Sequence, residues 1–360
     1  MKLLTRLERL QSRISEVGGC GIITDEVNRR YFTQMKSSAG TVLVFPEESY
    51  LIIDSRYIEK ARATAVGCTV ILEGRGEEKF AQMNELIKKH GAKEIAIDSQ
   101  TCTVSQLAHY RSKLEAEIPA DGRFGKLIRQ IRMVKSPEET EKMIAAQRIA
   151  EQGFEFMLDY IKEGLTEKEM QLKLDYFMLS HGAEALSFDT IVLSGPNTSM
   201  PHGVPSDRRV QKGEFVLMDF GAVVDGYHSD MTRTVCVGEP TDKMREVYDI
   251  VLKAQLAGID ALKAEISGRD FDAAARDIIN AAGYGDNFGH SLGHGVGMEI
   301  HEEPYGSPVS TALIPENSVI TIEPGIYLEG EFGVRIEDFA IVKTNGCENM
   351  TLAPKELICL

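Results

Sequence analysis

Two aspartates stand eleven residues apart in Met218-Asp219-Phe220-Gly221-Ala222-Val223-Val224-Asp225-Gly226-Tyr227-His228-Ser229-Asp230. Phe215 to Val224 reads as one apolar strand and Tyr227 to Val237 as a second. Between them, Asp225-Gly226 is a dipeptide favoured in two-residue type I′ hairpin turns. That turn sets Val224 opposite Tyr227, Asp219 opposite Thr232 and Asp230 opposite Gly221. Strand side chains two apart share a face, so Asp219 and Asp230 share one. As diagonal neighbours their Cα atoms would lie roughly 7–8 Å apart, with Gly221 leaving the space open. Two acids converging inside an apolar hairpin resist ionisation unless a cation sits between them.

Four further segments carry candidate polar groups. In Gly289-His290-Ser291-Leu292-Gly293-His294-Gly295-Val296-Gly297-Met298-Glu299-Ile300-His301, the His290/His294 spacing matches one feature of a zinc-binding H-E-x-x-H helix. No Glu follows His290, however, and four glycines argue against a helix. Such a backbone suits close approach to a ligand. Met298-Glu299-Ile300 is expected to be a strand. A lone histidine is more often structural than a ligand, but three of the chain's eight histidines fall in this one segment. Glu323 ends the apolar strand Ile320-Thr321-Ile322 before Pro324-Gly325. In Gly333-Val334-Arg335-Ile336-Glu337-Asp338, Arg335 and Glu337 share a strand face. Taken singly, these read as a solvated strand end and a surface ion pair. His202 lies in a Gly- and Pro-rich loop, 194–203.

Charge favours a joint reading. Asp219, Asp230, Glu323 and Glu337 bring four negative charges, and neutral His294 adds a nitrogen. Two divalent cations would balance them. Carboxylates with one imidazole suit manganese, iron, cobalt or zinc. Such a pair of ions lowers the pKa of a bridging water and polarises a carbonyl.

These residues need elements to hold them. The 360 residues allow two domains of ordinary size. With 43% hydrophobic and 26% charged residues the chain is globular. Its formal charge of −15 argues against a nucleic-acid partner. Six scattered cysteines without a C-x-x-C pair read as inert thiols of a reducing cytoplasm. No apolar run approaches the roughly 18 residues of a membrane span. The opening MKLLTRLERLQSRISEVGG reads as an amphipathic helix stopped by Gly18-Gly19, not as a signal peptide.

Residues 1–125 alternate strands and helices, as in a small α/β domain. Strands are expected at 21–24, 41–45, 50–53, 69–72, 94–97 and 118–120, and helices at 55–64, 77–90 and 104–114. A connecting helix is expected around 121–135. The second domain, 126–360, opens with capping signals at Ser136-Pro137-Glu138-Glu139 and Thr166-Glu167-Lys168-Glu169. Helices should follow to about Lys162 and His181. Further helices are expected at 242–263 and 269–282. Strands are expected at 190–194, 215–224, 227–237, 319–323 and 334–342, giving an α+β domain.

The ordered set PHG, DFG…SD, GHGVG…H, EPG and RIED resembles the pita-bread metallopeptidases. That family includes methionine aminopeptidase, prolidase and Xaa-Pro aminopeptidase. Residues 28–33 and 53–57 resemble the N-terminal domain of the proline-specific branch, so a smaller creatinase-like α/β domain should precede a pita-bread (creatinase/aminopeptidase) domain. The resemblance implies roles for particular residues. Asp219 would chelate one metal, and Asp230 and Glu337 would bridge both. His294 and Glu323 would complete the other shell. A hydroxide held between the metals would attack the scissile carbonyl, with Glu323 as proton shuttle. His202 and His301 would position substrate and stabilise the tetrahedral intermediate. His290 would line the proline pocket, and Arg335 would brace the metal carboxylates at the substrate wall.

In some prolidases an arginine follows the H-E-x-P stretch and grips a dipeptide's carboxylate. Here Tyr305 follows His301-Glu302-Glu303-Pro304. The expected activity is therefore an Xaa-Pro aminopeptidase, with manganese foremost and cobalt or zinc as alternatives, acting on peptides with proline second. Prolidase is the alternative. A silent binding module or a metal-free, creatinase-like hydrolase would be expected to lack metal ligands, and all five are present. The resemblance also implies a homodimer in which Met35-Lys36-Ser37-Ser38 closes the partner's site.

Overall fold

The computed structural model describes residues 4–360, and the first three residues of the expected N-terminal helix lie outside them. The described residues divide into two compact units, through Arg132 and from Met133 onward. The first unit takes in nearly all of the Arg123–Met133 helix, which a division at 125/126 would cut. The reason is local. Phe124, Leu127, Ile128 and Ile131 form one apolar face of that helix, and all four are buried. Tyr31 Oη also donates to Ile131 O at 3.3 Å.

The first unit is a five-stranded mixed sheet, in the order Thr69–Leu72, Ser49–Ile53, Thr41–Val44, Gly21–Ile23 and Ala96–Ile97. The outer pairings are parallel and the inner two antiparallel. Residues 118–120 form no strand; the edge there is a single bridge between Glu94 and Glu117. The opening helix is short, Arg6–Gln11, followed by a separate 3₁₀ turn at Ile14–Val17 that Gly18 ends at φ 113°. The helix Glu26–Thr33, capped by Asp25, was not expected as a helix.

The second unit builds two helix-on-sheet halves. Helices Pro137–Tyr160 and Glu167–Ser180 begin with the capping boxes expected at Ser136 and Thr166. They bury Phe154, Met157, Met170 and Leu174 against Val216, Met218, Phe220, Met231 and Val235. Helices Asp242–Ala261 and Gly268–Ala281 bury Val247, Val251, Phe271 and Ala275 against Ile320, Ile322, Val334, Ala340 and Val342. On each strand the alternate residues turn the other way. They include Asp219, Asp230, Thr232, Thr321, Glu323 and Arg335. Burying the apolar face of each half therefore delivers these polar residues to a common space.

The aspartate hairpin keeps its expected register, with Val224 opposite Tyr227 and Asp219 opposite Thr232. Asp225 and Gly226 both have positive φ, 49° and 81°, as a type I′ turn requires. Each long strand is nevertheless broken. Glu214–Phe220 lies between Met231–Val237 and Ile191–Ser194 in one sheet, whereas Ala222–Val224 and Tyr227–His228 join a second sheet with Ala185–Leu186. Gly221 sits at the break, and its surroundings are not open as expected. A Cβ there would be driven into the backbone carbonyl of Ser229. Likewise 334–342 is two strands, Phe332–Arg335 and Asp338–Lys343, in different sheets. Residues 298–300 form bends, with Gly297 N donating to Glu299 O at 3.0 Å.

Arg233, 1% exposed, ties the sheet behind the site. It pairs with Asp338 at 2.7 Å and donates to the carbonyls of Thr232, Glu337, Ala353 and Pro354. Among the described residues no helix is long and apolar enough to cross a membrane. Substituting Gly221→Ala should destabilise the fold by about 1–3 kcal/mol, because the backbone must shift to admit the methyl group. Urea unfolding checks this, and an unchanged midpoint would show that the chain gives way there freely.

Candidate active site

All ten residues nominated from the sequence line one cavity of about 680 Å³ in the second unit. They are His202, Asp219, Asp230, His290, His294, His301, Tyr305, Glu323, Arg335 and Glu337. Asp219 and Asp230 come from the hairpin. His294 lies on the short strand Gly293–Gly295, between glycines whose hydrogens face backbone carbonyls of Thr321, Glu302 and Glu303. A side chain at Gly293 or Gly295 would push the strands apart, which explains the glycine density around this histidine.

Asp230, His294 and Glu337 offer ligand atoms that all lie within 4.8 Å of one another. His294 Nε2 is 3.6 Å from Asp230 and 3.4 Å from Glu323. Its other nitrogen, Nδ1, is 3.1 Å from Gly295 O, an arrangement that leaves Nε2 facing the acids. Thr321 Oγ1 donates to Glu323 at 3.2 Å and receives the His294 N–H at 3.0 Å, so one hydroxyl sets both groups.

Arg335 does not bind from the open wall. It is 3% exposed, and its Nη2 pairs with Asp219 Oδ2 at 2.6 Å. Its Nε donates to Thr232 Oγ1 at 3.0 Å and its Nη1 to Tyr327 Oη at 2.8 Å. Thr232 Oγ1 in turn donates to Glu337 Oε2 at 2.6 Å. Arg335 lines the cavity, and its guanidinium braces Asp219, as the resemblance implied. Tyr327 Oη also lies 2.9 Å from His290 Nε2, and His290 Nδ1 lies 2.9 Å from Ser291 O. His301 packs edge-on against His294, ring centres 4.3 Å apart. Tyr305 stands at the rim, 45% exposed, opposite His294 in the strand pairing.

Thr232, Thr321 and Tyr327 were missed as site residues. The threonines had a signal, since each lies two positions from a candidate acid on the same strand. Tyr327 had none; it arrives through the hairpin of Gly325–Leu328 with Phe332–Arg335.

The acids are strained electrically. Burial, then the charges of Asp219 and Glu323, holds Asp230 well above the usual carboxylate range. Glu337 is raised well above its range by burial and by Asp230, Glu323 and Asp219. Burial, with Asp219 adding to it, pushes Glu323 up to about 8. Burial lowers His294 and His290 to about 4, with His301 and Arg335 respectively contributing, so both are neutral bases at neutral pH. Burial and His202 also lower His301. Asp219 Oδ1 is buried without a hydrogen-bond partner. An orphaned carboxylate oxygen beside neutral imidazole and mutually repelling acids is the donor set of a divalent-cation site.

The chain is similar to known proteins both in sequence and in structure. Residues 141–344 match the model of metallopeptidase family M24, and residues 6–134 match the creatinase/prolidase N-terminal domain. The chain belongs to metallopeptidase family M24. It is a divalent-metal exopeptidase with the pita-bread fold behind a creatinase-type N-terminal domain. An Xaa-Pro dipeptidase of Pyrococcus furiosus is 36% identical, over 93% of this chain and 94% of its own. The structure of an Xaa-Pro dipeptidase from Bacillus anthracis is 40% identical with a TM-score of 0.94, covering 99% of both chains. That of an X-Pro aminopeptidase from Thermotoga maritima is 36% identical with a TM-score of 0.89, covering 99% of this chain and 100% of the other.

Raised acid pKa values have a definite linkage sign. The metal-free folded chain binds protons on Asp230, Glu323 and Glu337 more tightly than the unfolded chain does. Its stability therefore falls as pH rises from the ordinary carboxylate range toward the folded values, about 8 for Glu323. Ion binding at about pH 7 must expel those protons. Titration calorimetry in buffers of different ionisation enthalpy should detect proton release. The Tm gap between loaded and stripped protein should widen between about pH 6 and 8. Metal uptake without proton release would show that these acids are not the ligands.

Proposed function

We propose that this M24 enzyme hydrolyses the bond before proline, with Xaa-Pro dipeptides as its main substrates. Asp219, Asp230, His294, Glu323 and Glu337 hold two divalent ions, manganese foremost and cobalt or zinc as alternatives. The observation that carries the metal assignment is the orphaned Asp219 Oδ1 facing buried acids that repel one another. When bound, the ions supply an activated water and polarise the scissile carbonyl.

The protein's own groups do the rest. Arg335 keeps Asp219 oriented, and Thr232 keeps Glu337 oriented. Glu323 carries a proton from the attacking water to the departing proline nitrogen. His301 and His202, both lining the cavity, hold the substrate and donate to the developing oxyanion. His290, fixed by Ser291 and Tyr327, forms the proline wall.

Support for dipeptides comes from the relatives named Xaa-Pro dipeptidase, which outweighs the expectation of an aminopeptidase drawn from Tyr305 and the motif set. That second reading keeps one specific observation. Arg335 is the single Arg or Lys among the cavity's described lining residues, and it is already committed. No arginine or lysine of the described lining is left for a dipeptide carboxylate. The Thermotoga relative named X-Pro aminopeptidase points the same way.

Hydrolysis of Xaa-Pro and Xaa-Pro-Yaa peptides by the manganese-loaded protein tests the choice. The expected kcat/KM is at least about tenfold higher for the dipeptide, a difference of about 1.4 kcal/mol in the barrier. Preference for the tripeptide would reverse the assignment, and no cleavage of either would end it. EDTA should abolish the activity and manganese restore it. We also assign the protein to the cytoplasm, where six free thiols are stable; a disulfide in natively isolated protein would contradict this. A homodimer closing the site with Met35–Ser38 is proposed too, and a fully active monomer in sedimentation would remove it.

A further inference from the structure

The loop that presents His202 is anchored at both ends on one buried carboxylate that takes no part in the metal set. Glu167, 0% exposed, is the first residue of the Glu167–Ser180 helix. Its Oε1 accepts from Ser194 N at 2.7 Å, Ser194 Oγ at 3.1 Å and Asn197 Nδ2 at 3.0 Å. Its Oε2 accepts from Ser206 N at 2.9 Å, Ser206 Oγ at 2.6 Å and Asn197 Nδ2 at 3.2 Å. The backbone closes the same junction. Glu167 N and Lys168 N, which a helix start leaves without internal partners, donate to Arg208 O and Ser206 O, each at 3.1 Å. Arg208 reaches in from the far side, donating from Nη1 to Ser194 Oγ at 2.8 Å while paired with Glu214.

Between these anchors run Pro201, His202, Gly203, Val204 and Pro205, all lining the cavity. Met200 and Val204 are exposed, so little apolar burial fixes the loop from outside. The carboxylate accepts from the segment before His202 at one oxygen and from the segment after it at the other.

We propose that Glu167 is a positioning residue for catalysis, setting the placement of His202 by clamping both ends of its loop. The clamp needs an acceptor at both oxygens. Glu167→Gln puts an NH₂ group at one of them, facing donors of Ser194 or Ser206, and leaves a buried backbone N–H unpaired at one end. The loop then loses its fixed span, and a displacement of about 1 Å at a substrate-positioning group lowers turnover by up to about a hundredfold.

This inference rests on the proposed role of His202, and a double-mutant cycle tests it on the manganese-loaded full chain. Glu167→Gln is expected to lower kcat/KM for an Xaa-Pro dipeptide at least about tenfold. In a His202→Ala background the same change should lower it by less than about twofold, since the group it positions is gone. Equal losses in both backgrounds, or no loss in either, would overturn the proposal. Ser206→Ala removes one donor and leaves the helix and carboxylate whole. It should move activity in the same direction if Glu167→Gln fails to fold, and unchanged activity would count against the clamp. Should the wild-type protein cleave no Xaa-Pro peptide, the functional reading fails by itself. Hydrogen exchange then judges the clamp: faster exchange across 194–206 in Glu167→Gln, with the Pro137–Tyr160 helix unchanged, supports it, and unaltered exchange there refutes it.

Discussion

The second unit is organised around acids that cannot be left in a dry interior together. Asp230 and Glu337 are 3% and 2% exposed; Asp219 and Glu323 raise the cost of ionising both, and Asp230 adds to that of Glu337. A chain tolerates this only if something opposes the charge. Arg335 opposes part of it, through Asp219 and through Thr232 to Glu337. One guanidinium cannot neutralise four carboxylates, and the unpartnered Asp219 Oδ1 marks where its reach ends. The remaining deficit is what makes the cavity a cation site.

That deficit is imposed by packing. Two helix pairs each cover one face of a sheet, and each strand sends its alternate residues to the other face. Val216, Met218 and Phe220 are buried under one pair of helices, so Asp219 has to point away from them. Ile320 and Ile322 are buried under the other, so Thr321 and Glu323 turn inward. Exposing the acids to water would require reversing the register of strands whose apolar faces are buried, which would cost the core of each half. Behind the site, Arg233 binds the Glu337 carbonyl while paired with Asp338, so the backbone that carries Glu337 is fixed independently of any ion. The ligand cage is therefore preformed by apolar burial, and ion binding relieves repulsion already present.

This division explains what the sequence revealed. The hairpin was legible because a two-residue Asp-Gly turn fixes register, and register fixes which side chains share a face. The capping boxes at Ser136 and Thr166 were legible because their chemistry is local. The breaks at Gly221 and at Ile336-Glu337 were not. Each occurs where a strand passes from one sheet to another, and the reason lies in distant backbone, Ser229 O in the first case. Arg335 was placed near the carboxylates by motif, but its complete commitment depends on Tyr327, which sits on a neighbouring strand with no periodic signal. Glu167 was visible only as part of a capping signal; that its side chain would instead gather Ser194, Asn197 and Ser206 is a long-range fact.

The metal centre cannot decide which peptides are cut, because its ligands meet only the scissile bond. Selection must come from groups that meet the far ends of the substrate. A dipeptide brings a carboxylate next to the proline ring, and enclosing that charge without a partner is costly. Of the cavity's imidazoles, His290 has both nitrogens engaged and His294 faces the acids, which leaves His202 and His301. If dipeptides are the substrates, one of these two must donate an N–H to the carboxylate, or the carboxylate must remain at the solvent-exposed rim beside Tyr305. His301 is a poor cation, since burial and His202 lower its pKa. His202, on the loop that Glu167 clamps, is then the imidazole placed to offer the carboxylate an N–H. In that case the precision of one loop would govern both turnover and the choice between dipeptide and longer chain.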